Sequence, residues 1–450
     1  MLDLRIRSLH QAYQSRTISP EALIRQVYDQ IAQHNDPALW IYLAPLADTL
    51  DRVAQTSPDL PLYGIPFALK DNIDWAGTPT TAACPEFAYT PATSATVVAR
   101  LCAAGAIPIG KTNLDQFATG LVGTRSPYGI CRNLFCADYI PGGSSSGSGA
   151  AVGAGLVSFA LGTDTAGSGR VPAAFNNIVG LKPTRGYIST KGVVPAVRSL
   201  DCVSIFALTC VDAQRVLQVA GGFDPEDIFA RIERSPDQLK LDNLASLRFG
   251  VPDVLEFFGN QDAAANYQKT LARLQDWGCQ ITQINFQPYA EVAALLYEGA
   301  WLAERTAAVG EFVAVDRPGL DPTVKGIIRR GAAIDAVSAY RDLYRLKALE
   351  RQIAQQPVDV LVMPTTGTIY TIDQVTAQPV ELNRNLGLYT NFVNLLDLSA
   401  IAVPNGFQAN GLPTGVTFMA AAWQDHFLCE LGHRFHTELG GTLGATHILI

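Results

Sequence analysis

The 450-residue sequence predicts an α/β fold in which one large mixed β-sheet is covered by helices on both faces. Three observations predict it. Short β-rich runs alternate with small-residue helical stretches between Leu62 and Cys210, and strand-like runs return near the other end of the chain, at 358–364, 400–403 and 416–419. Hydrophobic residues make up 48% of the chain and charged residues only 16%, so there is enough apolar side chain for a large core. Strands contributed by both ends of a chain are hard to divide between two domains, and no charge run or low-complexity linker separates them. The reading is therefore a single domain over residues 1–450, with no separate C-terminal domain and no internal repeat.

Taken in order, Ser19-Pro20-Glu21 starts a helix, with serine as N-cap and proline at the first helical position. Leu23, Ile24, Val27, Tyr28 and Ile31 form its apolar face. Strands are expected at 65–69, 106–109, 159–161, 178–181 and 204–208, with a helix at 96–104. Residues 220–350 read as a largely helical peripheral layer, interrupted by strand candidates at 247–251 and 280–286. The sheet pattern then resumes, and a helix near 427–439 closes the chain.

Composition excludes several functions. The formal charge of −8, from 33 basic and 41 acidic residues with no basic cluster, argues against a nucleic-acid surface. The eight cysteines lie scattered in apolar stretches without C-x-x-C spacing, as buried free thiols do, which argues against a metal site or disulfide framework and suits a cytoplasmic location. The N-terminal Met1-Leu2-Asp3-Leu4-Arg5-Ile6-Arg7 interleaves charges and is not a signal peptide. The longest near-apolar run, 150–162, falls short of the roughly 20 residues of a spanning helix, so no membrane partner is expected.

Three stretches can combine as a catalytic device: Phe67-Ala68-Leu69-Lys70 at a strand end, Gly142-Gly143-Ser144-Ser145-Ser146-Gly147, and the run from Gly162 to Arg170. A serine nucleophile needs a base and an oxyanion site. No histidine occurs between residues 35 and 425, so a histidine base would have to come from an extreme terminus. Lysine is the better candidate.

Two other motifs are decoys. Gly105-Ala106-Ile107-Pro108-Ile109-Gly110-Lys111-Thr112 matches G-x-x-x-x-G-K-T, but a phosphate loop must follow a strand and open a helix, whereas this segment follows a helix and itself reads as a strand. Lys111 is then a structural or surface residue. Gly143-Ser144-Ser145-Ser146-Gly147 satisfies G-x-S-x-G, a motif that needs a downstream acid and histidine, and the only downstream histidines lie in the last 25 residues.

The three catalytic stretches resemble those of the amidase signature family of serine hydrolases, in which a G-G-S-S-[GS]-G run precedes D-x-x-G-S at a fixed distance. Ser144 and Ser168 stand 24 positions apart, as that pattern requires. The resemblance implies the amidase signature fold and no cofactor. It implies Lys70 as base, Ser144 as the bridging serine behind a cis Gly143–Ser144 bond, and Ser168 as nucleophile. It also implies an oxyanion hole from the backbone N–H groups of Thr165, Ala166, Gly167 and Ser168. Lys70 must be neutral to accept a proton, so its pKa must fall by about 3 from ~10.4, which demands burial. The uncharged run Ile65 to Leu69 suits that. Asp164 and Arg170 are expected to support the loop rather than carry protons.

Within that family the segments Lys111 to Gly129 and Arg198 to Ser204 are most similar to allophanate hydrolases, which implies hydrolysis of a small carboxylate-bearing amide, allophanate first, with release of ammonia. The family's carboxylate-binding tyrosine and arginine fall on Tyr297 and Arg305, eight residues apart and expected on one helix; the alternative pairs Arg305 with Glu298 or Glu304 on a solvated face. Allophanate hydrolases commonly carry a further C-terminal domain that processes the first product. Without it, that product is expected to decay unaided or pass to another protein, or the substrate differs. The competing readings are another small-molecule amidase, the amidase subunit of a tRNA-dependent amidotransferase, and a degenerate hydrolase fold acting as a binding partner. The expected partner is a small amide, with a homodimer left open.

Overall fold

The structure, a computed structural model, describes residues 2–233 and 239–450; Met1 of the N-terminal stretch and residues 234–238 of the expected helical layer lie outside the described residues. Among the described residues, eleven strands form one sheet: β1 (Trp40–Leu43), β2 (Pro66–Lys70), β3 (Ile107–Thr112), β4 (Phe159–Asp164), β5 (Val179–Lys182), β6 (Cys202–Ala207), β7 (Arg248–Pro252), β8 (Gln280–Ile284), β9 (Val360–Pro364), β10 (Leu398–Phe407) and β11 (Pro413–Ala421). Their spatial order is β1-β3-β2-β4-β6-β5-β10-β11-β9-β7-β8. The sheet is mixed: β2 runs parallel to β3 and β4, and β7 to β8 and β9, while the other pairs are antiparallel.

Every residue of β2 through β6 is buried, so these strands read as apolar or small-residue runs rather than alternating ones, with the charged Lys70, Lys111, Asp164 and Lys182 at or near the C-terminal ends of β2 to β5. Phe67 of β2 stacks on Phe159 of β4, with ring centroids 5.0 Å apart. The expected helix start is present: Pro20–His34 is capped by the Ser19 side chain, which accepts from the Ala22 N–H.

Two expectations change. The short β1, an edge strand with a bulge against β3, went unrecognised because Trp-Ile-Tyr-Leu is only half-buried and shows no alternation. Residues 220–350 are more than a peripheral layer. Their strands β7 and β8 complete one edge of the main sheet, and the helix Trp301–Ala314 packs inward with Arg305, Val309 and Val313 buried. Among the described residues, no helix is long and apolar enough to cross a membrane.

Candidate active site

Parallel strands β2 and β4 pair Leu69 with Leu161, so their C-terminal ends emerge side by side. That register sets Lys70, the last residue of β2, beside Thr163 near the end of β4. Lys70 Nζ donates to Thr163 Oγ1 at 2.8 Å and to Ser144 Oγ at 2.7 Å. Ser144 reaches this point because the small residues Ser146 to Gly153 build a wholly buried helix immediately after it, close against the sheet. The Gly143–Ser144 peptide bond is cis. Lys70 has no solvent exposure. Burial, against the pull of the Asp115, Asp201 and Asp164 carboxylates, lowers its pKa to about 7.

Past β4 the chain turns sharply. Arg170 grips Asp164 through two hydrogen bonds of 2.9 Å in a pair with no solvent exposure, so the expectation that both support the loop agrees with their contacts. Burial is the largest single influence and opposes ionisation of Asp164, but the Arg170 guanidinium, the Lys182 ammonium and the Gly167 N–H together hold the carboxyl below its ordinary value. Gly167 has φ +127°, and a Cβ there would fall 2.4 Å from Thr390 Oγ1. Ser168 is 4% exposed and its Oγ donates to the Gly120 carbonyl at 3.4 Å. Among the described residues no hydrogen bond joins Ser168 Oγ to Ser144 Oγ.

The four N–H groups expected to form an oxyanion hole differ in their partners. The Gly167 N–H donates to Asp164 Oδ1 at 2.7 Å and is unavailable, whereas the Thr165, Ala166 and Ser168 N–H groups have no protein acceptor among the described residues. The Thr165 hydroxyl donates to Asp201, which also accepts the Ala196 and Val197 N–H groups at 2.9 and 3.1 Å.

Tyr297 and Arg305 do meet, but not on one helix. The helix Gln287–Glu298 ends at Gly299, whose extended backbone (φ −117°, ψ −160°) breaks the chain before Trp301–Ala314 begins. Arg305 stacks over the Tyr297 ring across that break, 5.6 Å from its centroid. The solvated ion pair is ruled out: Arg305 is 1% exposed, and Glu304 instead accepts from Ser199. Arg305 Nη1 donates to Thr119 Oγ1 at 2.7 Å, while Nε and Nη2 have no hydrogen-bond partner among the described residues.

Both decoys fail on contacts. Lys111 is buried on β3, paired with Asp71 at 3.0 Å and bonded to Thr80 Oγ1 and the Pro79 carbonyl. His426, His433 and His436 lie on the helix Asp425–Leu439, packed against β10 and the helix Cys210–Ala220, and no hydrogen bond links them to either serine among the described residues.

The amidase family matches residues 22–429 of the chain. The chain belongs to that family. Among relatives, a urea amidolyase from Lachancea kluyveri is 46% identical over 428 residues, covering 93% of this chain but only 23% of that protein. A glutamyl-tRNA(Gln) amidotransferase subunit from Chlorobium luteolum is 34% identical, covering 92% of each chain. The solved structure of Kluyveromyces lactis allophanate hydrolase superposes with a TM-score of 0.90 at 42% identity, covering 96% of this chain and 72% of that one.

Sequence reasoning missed three contributors to this amidase-family site: Thr163, Thr119 and Asp115. All lie inside the motif segments already singled out. Only the fold reveals that their side chains turn inward.

Proposed function

We propose that this chain hydrolyses a short amide bearing a carboxylate, allophanate first, through an acyl-enzyme on Ser168. The observation that carries the proposal is Arg305, a buried guanidinium whose only hydrogen-bond partner among the described residues is a neutral hydroxyl and whose two further donor nitrogens can receive a carboxylate. The anion cannot be far from the nucleophile. Arg305 bonds to Thr119 and Ser168 to Gly120, consecutive residues whose Cα atoms lie about 3.8 Å apart. A substrate bridging the two is only a few bonds long, and allophanate, with a carboxylate at one end and an amide at the other, has that length.

In this reading the Ser168 hydroxyl swings from the Gly120 carbonyl toward Ser144 and attacks the amide carbonyl. Its proton passes through Ser144 to neutral Lys70. The N–H groups of Thr165, Ala166 and Ser168 stabilise the oxyanion. The C–N bond breaks as ammonia takes the proton back, and water then hydrolyses the ester. A pKa near 7 suits Lys70 to proton exchange at neutral pH. Eight free cysteines suit a reducing, cytoplasmic setting.

Ammonia release from allophanate, urea, biuret, malonamate and simple uncharged amides tests the reading. Allophanate should lead the panel. The near-complete mutual coverage with an amidotransferase subunit supports a second reading, in which the chain is the amidase subunit of a tRNA-dependent amidotransferase; no release from allophanate or any other small amide of the panel by the chain alone would favour it.

A further inference from the structure

One buried carboxylate, absent from the proposed chemistry, lies against Gly120 and Gly143, next to the residues that carry the proposed site. Asp115 has no solvent exposure. Its Oδ2 accepts the N–H groups of Val122 and Gly123 at 3.1 and 3.0 Å, and its Oδ1 accepts that of Arg125 at 3.0 Å. Its own N–H donates to the Ser144 carbonyl at 3.0 Å. A Cβ on residue 143 would fall 2.1 Å from Oδ2, and one on residue 120 would fall 2.6 Å from it, so the carboxylate is wedged between the peptide preceding Ser144 and the peptide that receives Ser168.

The loop wound around this carboxylate carries both ends of the proposed substrate site. Thr119 holds Arg305, Gly120 accepts Ser168, and the Leu121 carbonyl accepts the Gly143 N–H at 2.9 Å. We propose that Asp115 is a positioning residue that ties Ser144, Ser168 and Arg305 to one loop. Its buried negative charge also favours the protonated form of Lys70. This rests on the proposed roles of Lys70 and Ser168.

Three N–H donors face the carboxylate, a set that fits its ionised form, although burial, opposed by Arg125, raises its pKa from the ordinary aspartate value. The charged groups around Lys70 are Asp115 from this loop, Asp164 from β4 and Asp201 from the entry to β6. Asp164 is neutralised by Arg170, Asp201 lies in the field of Arg305, and Asp115 in that of Arg125. Asp115 acts on Lys70 more strongly than either of the other two carboxylates.

The test is the pH dependence of covalent labelling of Ser168 by a fluorophosphonate, read by intact-protein mass spectrometry. The Oγ–P bond forms, the P–F bond breaks and the serine proton passes to Lys70. In wild type the labelling rate should rise with pH as Lys70 becomes neutral. In Asp115→Asn the midpoint should fall by about one pH unit, because an opposing charge is gone, and the alkaline plateau should fall about 10-fold or more. A role confined to folding lowers the plateau and leaves the midpoint in place. A midpoint that is unmoved or raised in a folded variant overturns the inference. If Asp115→Asn does not fold, Asp115→Glu keeps the charge but displaces the loop. Its plateau should fall with the midpoint unchanged, and an undiminished plateau or a midpoint lowered by a unit overturns the inference. A wild-type protein that is not labelled at Ser168 overturns the nucleophile reading, and this inference with it. Labelled wild type with an unmoved Asp115→Asn midpoint overturns this inference alone.

Discussion

At the scale of single residues, a buried lysine couples reactivity to stability. Lys70→Ala and Ser168→Ala should each abolish ammonia release, while Ser144→Ala should leave a trace through a substituting water; near wild-type turnover by Ser168→Ala removes the mechanism. Activity should rise through pH 7 as Lys70, with its pKa lowered to about 7, loses its proton. The stability consequence has a definite sign. Between pH 7 and about 10.4 the unfolded chain binds a proton on this lysine that the folded chain does not, so stability rises with pH across that window. Lys70→Met escapes the penalty and should be more stable than wild type at pH 7 by up to roughly 4 kcal/mol. The margin should vanish near pH 10, and urea unfolding of the two proteins at both pH values checks it.

Arg305 belongs to the same scale. Arg305→Leu removes a charge-assisted pair worth about 1.5–3 kcal/mol, or about 10- to 100-fold in kcat/KM, from carboxylate-bearing amides while sparing uncharged ones. Tyr297→Phe keeps the ring that lies under the guanidinium and should cost less than Tyr297→Leu. Equal losses on charged and neutral amides would assign Arg305 a structural role only. The eight-residue spacing of this pair was legible in the sequence; the break between them was not. Glycine after Glu298 reads equally well as a weak point inside one helix and as the end of one, and only packing decides.

At the scale of elements, the turn from β4 to Ser168 is held by one ion pair and one close approach. Arg170→Met would strand the Asp164 carboxylate in a dry site, so it should cost about 3–5 kcal/mol in denaturant unfolding; a loss under about 1 kcal/mol would show that water relieves the charge. At the helix break, a Cβ on residue 299 would fall 2.8 Å from the Leu295 carbonyl and 3.0 Å from Asp342 Oδ2. Gly299→Ala should therefore shift the helix bearing Arg305 and raise KM for anionic amides more than for neutral ones. Unchanged KM on both would show that the break tolerates a methyl group. Strands β2 to β6 were legible because, up to their C-terminal ends, these buried strands are apolar or small. The edge strand β1 was not, because a half-buried ribbon of four residues carries little periodic signal.

At the scale of the whole molecule, the sheet joins two stretches of chain at one seam, where β5 pairs antiparallel with β10. Cutting there would leave unpaired the wholly buried β5 on one side and β10, buried from Ser399 to Asn405, on the other. A fragment of residues 1–233 should therefore fail to unfold cooperatively, as followed by circular dichroism, whereas a sharp transition in that fragment would divide the chain into two domains. The sequence by itself determined the α/β class and the order of most strands along the chain, since these depend on local patterning, and its motifs pointed to the family and to Lys70, Ser144 and Ser168 as the residues to test. Tertiary structure alone decided that Lys70 meets Thr163 and Ser144, that Gly167 turns its N–H away toward Asp164, that Arg305 is buried with one nitrogen on Thr119, and that the Asp115 N–H donates to the Ser144 carbonyl. The reason is physical. Those contacts join residues up to 186 positions apart, and their strength comes from exclusion of water, which no local stretch of sequence specifies.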